Sequence, residues 1–98
     1  MKKGYWTVAY RNIPDFASVK AYAAAANPII ASYGGKVLGF AGDDIVVHEQ
    51  GVPLLSVIVE FDDVQKAREA YNDPAYLATL EMFAPGTERD FRIFEGAV

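Results

Sequence analysis

The chain has 98 residues, no Cys, 9 Lys and Arg against 13 Asp and Glu, and a formal net charge of −4. With 52% hydrophobic and 22% charged residues it is neither disordered nor a disulfide scaffold, and thiolate chemistry is excluded. No apolar run approaches the roughly 20 residues of a membrane span, and an acidic chain is a poor partner for a phosphate backbone.

Tyr5–Tyr10, rich in aromatic and β-branched residues, reads as a first strand. The polar residues Thr7, Tyr10, Arg11 and Asn12 also deny the Lys2-Lys3 start the apolar stretch of a signal peptide, so the chain reads as cytoplasmic. Asn12-Ile13-Pro14-Asp15 is turn chemistry, with Asp15 as helix cap. Phe16, Val19, Tyr22, Ala23, Ala26, Ile30 and Tyr33 then recur at helical spacing, and Gly34-Gly35 ends that helix. Pro28 falls inside the pattern and predicts a kink or break, since its ring opposes the carbonyl of Ala24.

Lys36–Ala41 reads as the second strand, Gly42-Asp43-Asp44 as a turn or bulge, and Ile45–His48 as a short extended piece. After a turn at Gln50–Pro53, Leu54–Phe61 is the strongest strand. Asp62-Asp63 offers the cap of the next helix, and Gln65 could complete a capping box with Asp62. Val64, Ala67, Ala70 and Tyr71 form that helix's inner face. Asn72-Asp73-Pro74 splits it, with Asp73 capping and Pro74 opening the second half, where Tyr76, Leu77, Leu80 and Phe83 follow. Asp90–Glu95 is the last strand, with Phe91 and Ile93 on one face and Arg92 and Phe94 on the other.

The order is β-α-β-β-α-β with a split second helix, an α+β chain on the ferredoxin-like plan, with residues 1–98 forming one domain. Helices in this plan cover one face of the sheet. A chain this short buries only about 60–65% of its unfolded surface, and its strands carry apolar residues on both faces. A second copy packed sheet to sheet is therefore the expected partner, giving a homodimer. The competing reading is a monomer with one buried central strand.

Gly4-Tyr5-Trp6, Ala21-Tyr22, Tyr33-Gly34-Gly35, Glu60-Phe61, Tyr71-Asn72-Asp73-Pro74-Ala75-Tyr76 and Glu95-Gly96, in this order and spacing, resemble the bacterial domain-of-unknown-function 1330 family of the dimeric α/β-barrel superfamily. The resemblance spans Gly4 to Gly96. It implies a ferredoxin-like monomer and a face-to-face barrel dimer, but no reaction. The wider superfamily includes cofactor-independent monooxygenases, isomerases, polyketide cyclases and small-molecule sensors, often with a pocket between sheet and helices. The chain departs from the family pattern at Phe40 and Phe83, where members tend to carry Arg, and at Gly51-Val52-Pro53-Leu54-Leu55, usually more aromatic and basic. Exchanging Arg for Phe trades forked carboxylate recognition for apolar area, so the expected ligand is a larger apolar or aromatic compound. Alternatively, both Phe are core residues of a divergent member.

His48, the only His, has the side chain best suited to acid–base work near neutrality, and Glu49 beside it could orient the ring. The alternative is a surface or strand-end histidine. Asp43, Asp44, His48 and Glu49 have no recognisable metal-ligand spacing, and no metal or cofactor is expected. Glu60, in an apolar strand, reads either as a pocket base or as a strand-end partner of Arg92 or Lys36. Among six tyrosines, Tyr22 and Tyr71 lie on inward helix faces and could polarise a carbonyl. The expected site thus has apolar walls at Trp6, Phe40 and Phe83 and polar groups at Tyr22, Tyr71, His48 and Glu60. The matching function is a cofactor-independent cyclase, isomerase or monooxygenase-like enzyme acting on an apolar or aromatic metabolite such as a polyketide intermediate. The alternatives are a binding or sensing module and a ligand-free structural dimer. No nucleic-acid or membrane partner is expected.

Overall fold

The computed structural model describes residues 2–98. In chain order it contains β1 (Gly4–Asn12), α1 (Phe16–Ser32), β2 (Lys36–Ala41), β3 (Ser56–Phe61), α2 (Val64–Asn72), α3 (Pro74–Thr79), a 3-10 turn (Leu80–Met82) and β4 (Glu88–Glu95). The sheet order is β2-β3-β1-β4, and every neighbouring pair is antiparallel. This is the expected ferredoxin-like arrangement with its second helix split at Asp73.

Strand register sorts the side chains. Trp6 lies opposite Val59 and Ile93, Val8 opposite Val57 and Phe91, and Tyr10 opposite Arg89. These residues share the face covered by the helices. Tyr5 lies between Glu60 and Phe94, and Thr7 between Ile58 and Arg92, on the uncovered face. The register of β2 shifts between Val37 and Gly39, so Leu38 is a bulge and Phe40 comes to oppose Val57. In an unbroken ladder Phe40 would oppose Ser56 and point to the uncovered face; the extra residue reverses it.

The two helical layers sit differently. The split second helix lies close on β1, β3 and β4. Its contact residues Ala67 and Ala70 are small and fully buried, and a Cβ on Gly4 would collide with the backbone of Val64. Trp6 is 1% exposed and donates its indole N–H to the Ala67 carbonyl at 2.8 Å. Around it pack Phe61, Tyr71, Tyr76 and Phe91, with ring centroids 5.0–6.2 Å away. Helix α1 buries Val19, Tyr22, Ala26 and Ile30, yet its close backbone approaches are to α3 and the 3-10 turn.

Local signals differ from expectation in several places. Asp15 caps α1 as expected, accepting from Ala17 N–H at 3.0 Å, and Gly34 (φ +79°) turns the chain beyond its end. Pro28 does not break α1, which runs on to Ser32; Ala24 and Pro28 lie on its exposed face, so the freed carbonyl is open to solvent rather than buried. Of the pair Asp62-Asp63, it is Asp63 that caps α2, accepting from Lys66 N–H at 2.8 Å. Asp62 instead pairs with Lys3, and Gln65 bonds Glu69 rather than closing a capping box. Residues 42–55, including Ile45–His48, form no regular element, and β3 begins at Ser56 rather than Leu54. No described helix is long and apolar enough to cross a membrane.

Asp73 joins three elements. Its Oδ1 accepts from Ala75 N–H at 2.7 Å at the start of α3, and its Oδ2 accepts from the Tyr33 hydroxyl at 2.6 Å at the end of α1. The Tyr33 bond, then the Ala75 N–H, hold its carboxyl below the usual aspartate range. A lowered folded-state pKa gives stability that is present above the ordinary aspartate value of about 3.9 and lost as pH falls through the lowered one. Asp73→Asn keeps a capping oxygen and removes the charge. Its melting temperature is expected to fall below wild type at pH 7 and to converge with it in strong acid. An equal deficit at both pH values contradicts the assignment.

Candidate functional site

Because α1 leans on α3 and the 3-10 turn, a cavity of about 420 Å³ remains between it and the sheet. Strand residues Trp6, Val8, Val57 and Val59 form its floor, and Val19, Ala23 and Ile30 of α1 its roof. Phe16, 49% exposed, and Phe40, 64% exposed, mark its mouth together with Val37 and Lys20. At this size and apolarity it matches the pockets that enclose small organic ligands.

One wall is polar. Arg89 extends from β4, the sheet edge opposite β2, and lines the cavity beside Tyr10 and Tyr22. Its guanidinium carbon lies 4.8 Å from the ring centroid of Phe83, 5.0 Å from those of Tyr22 and Phe91, and 5.7 Å from that of Tyr10. All four distances fall within cation–π range. Arg89 Nη1 donates to the Tyr22 hydroxyl at 3.2 Å, and Tyr22 and Tyr76 share a hydrogen bond of 2.6 Å. Tyr22 also stacks on Phe83, centroids 4.4 Å apart. Among the described residues no carboxylate forms an ion pair with Arg89.

Burial disfavours the charge on Arg89, but the hydroxyls of Tyr22, Tyr76 and Tyr10 outweigh it and raise its pKa further, so the group stays cationic. Tyr76 is wholly buried; burial first, then Tyr22, pushes its hydroxyl far above the ordinary tyrosine range, so it remains a neutral donor. Burial also raises Tyr10, with Arg89 pulling against it. The arrangement presents a cation and a polarised hydroxyl to an otherwise apolar chamber.

The structure brings some of the expected site residues together and leaves others apart. Trp6, Tyr22 and Phe40 line the cavity. Phe83 does not line it but backs Tyr22 and Arg89. Tyr71 packs behind, against Trp6, Tyr76 and Phe91. His48 is exposed in the irregular segment after β2 and does not line the cavity. Glu60 lies on the uncovered sheet face, where it accepts from the Tyr5 hydroxyl at 2.9 Å; that bond raises the Tyr5 pKa. No described group of three or more His, Asp or Glu could hold a metal ion.

Arg89 is the residue that sequence reasoning missed. The alternation that places Phe91 and Ile93 on one face extends back to Arg89, but a strand begun at Asp90 stops one residue short of it. Tyr10 and Tyr76, its other polar neighbours, carry no sequence signal that separates them from core tyrosines.

Comparison with known proteins agrees with the fold. Residues 3–97 match the family described as domain of unknown function (DUF1330), and the chain belongs to that family. No curated protein matches the chain. Among solved structures, a protein of unknown function from Rhodopseudomonas palustris aligns with a TM-score of 0.75 at 16% identity, covering 99% of this chain and 84% of the other. A protein of unknown function from Bacteroides fragilis, described as dimeric and ferredoxin-like, aligns at 0.59 and 13% identity, covering 97% and 96%. SnoaB, a cofactor-independent oxygenase from Streptomyces nogalater, aligns at 0.54 and 14% identity, covering 99% and 93%. At these identities the likeness is one of fold.

Proposed function

We propose that this DUF1330 member binds a small apolar or aromatic metabolite between α1 and the sheet and acts on it as a cofactor-independent enzyme of the cyclase, isomerase or monooxygenase kind. The observation that carries this reading is the 420 Å³ apolar cavity with Arg89 and Tyr22 on one wall. A cation and a hydroxyl held in low dielectric can stabilise an oxyanion that develops on a bound carbonyl compound. The fold shared with a cofactor-independent oxygenase is in keeping with such chemistry. His48 and Glu60 take no part in this reading, because neither lines the cavity. A second reading, a binding or sensing module, draws on a different fact: among the described residues no carboxylate or imidazole lines the cavity to serve as general base. Turnover of a bound ligand decides between the two.

Homodimerisation through the uncovered sheet face belongs to the same proposal. Tyr5, Ile58 and Phe94 give that face an apolar centre, with Ile58 and Phe94 more than two-fifths exposed. Structural neighbours from Bacteroides fragilis and Thermobifida fusca are described as dimeric.

Trp6 is the only tryptophan and lines the cavity, so its fluorescence reports occupancy. Titration with naphthalene-sized aromatics is expected to give saturable quenching. Ala23→Phe, which fills the roof, is expected to weaken binding roughly tenfold or more, ~1.4 kcal/mol. Absence of quenching, or an unaffected Ala23→Phe variant, overturns the site. For the dimer, sedimentation equilibrium is expected to give twice the chain mass for wild type and a shift toward monomer for Ile58→Glu; a wild-type monomer refutes it.

A further inference from the structure

We propose that the cavity selects ligands bearing an anionic oxygen (a carboxylate, phenolate or enolate) on an apolar body, with Arg89 as the anion-binding residue and Tyr22 as a second hydrogen-bond donor. This rests on the cavity being a ligand site and specifies what it accepts.

Buried charges are ordinarily paired, and an arginine has five N–H donors to satisfy. The aromatic rings around Arg89 offer π faces, which attract its charge but do not accept forked hydrogen bonds. It donates a hydrogen bond to the Tyr22 hydroxyl, and the hydroxyls of Tyr76 and Tyr10 also act on it. No described side-chain nitrogen or oxygen is sealed in the interior without a partner. The Arg89 nitrogens that these hydroxyls do not reach are therefore accessible, and Arg89 lines the cavity. A guanidinium held in this way is preorganised for the two oxygens of a carboxylate or for one oxyanion.

A guanidinium only donates, so Tyr22 accepts from Arg89. The neutral Tyr76 hydroxyl has Tyr22 as its hydrogen-bond partner. When Tyr76 donates, Tyr22 accepts twice and its own proton is left for a ligand. An anionic oxygen beside Arg89 favours that arrangement.

The chain carries a net charge of −4, whereas the charged residues lining the cavity are Lys20 and Arg89, both positive. The chamber is thus a local positive site in an acidic protein, and a cation or a neutral hydrocarbon would leave Arg89 unpaired.

Isothermal titration of wild type, Arg89→Met, Arg89→Lys and Tyr22→Phe with 2-naphthoate and its methyl ester tests this, with 4-nitrophenol above and below its own ionisation as the phenolate arm. Wild type is expected to prefer each anion over its neutral form by roughly tenfold to hundredfold. Arg89→Met is expected to lose that preference while keeping the ester's affinity, Arg89→Lys to keep part of it, and Tyr22→Phe to weaken the anions alone. Tyr22→Phe also keeps the ring that stacks on Phe83, so it serves if Arg89→Met folds poorly. Preference for naphthoate alone identifies a carboxylate site, and preference for both anions a general oxyanion site; either supports the proposal. Equal binding of acid and ester to wild type, or an unchanged preference in Arg89→Met, overturns it and leaves the cavity reading standing. If no aromatic compound binds in either form, both fail.

Discussion

The two helical layers lie at different heights above the sheet, and the rest of the molecule depends on that difference. Small residues set α2 down: Gly4, Ala67 and Ala70 allow close approach, and the Trp6–Ala67 hydrogen bond locks it. Large residues hold α1 up: Tyr22 rests on Phe83 and on the hydroxyl of Tyr76, both from the far half of the split helix and the segment that follows it. Interiors normally close to crystal-like density, so an apolar space of this size persists only where rigid groups prop it open. The break at Asp73 serves that end, because it lets α3 turn and carry Tyr76 toward α1.

The same prop holds the charge. Tyr22 and Phe83, which support α1, are two of the rings that surround Arg89, and Tyr22 is its hydrogen-bond partner. Desolvation opposes a cation so placed, neighbouring hydroxyls rather than a carboxylate offset it, and no described carboxylate pairs with it. A half-buried cation without a carboxylate partner, on the wall of a cavity, is where function is expected to override packing.

The fold was largely legible because its signals are local and redundant. Alternation in β1, helical spacing from Phe16 to Tyr33, and the caps Asp15 and Asp73 each rest on a few neighbouring residues. The differences arose where another partner takes a side chain, as Glu69 takes Gln65 and Lys3 takes Asp62, or where exposure removes a penalty, as at Pro28. The site was less legible. Phe40 faces the cavity only because of the bulge at Leu38, which is a property of strand pairing rather than of residue type. Glu60 was singled out for its chemistry, while its alternation with Val59 and Phe61 already places it on the other face. Arg89 was hidden by a strand boundary, since the residues ahead of Phe91 look like loop until they are paired with β1.

The central claim is that α1 is propped off the sheet to hold an anionic, largely apolar ligand against Arg89. A crystal structure with bound 2-naphthoate tests it most directly. The account predicts the naphthalene rings between α1 and the floor of Trp6 and Val59, with carboxylate oxygens within hydrogen-bond distance of Arg89 Nη1 or Nη2 and of the Tyr22 hydroxyl. A cavity closed by collapse of α1 onto the sheet, or a ligand seated with its carboxylate away from Arg89, would contradict it.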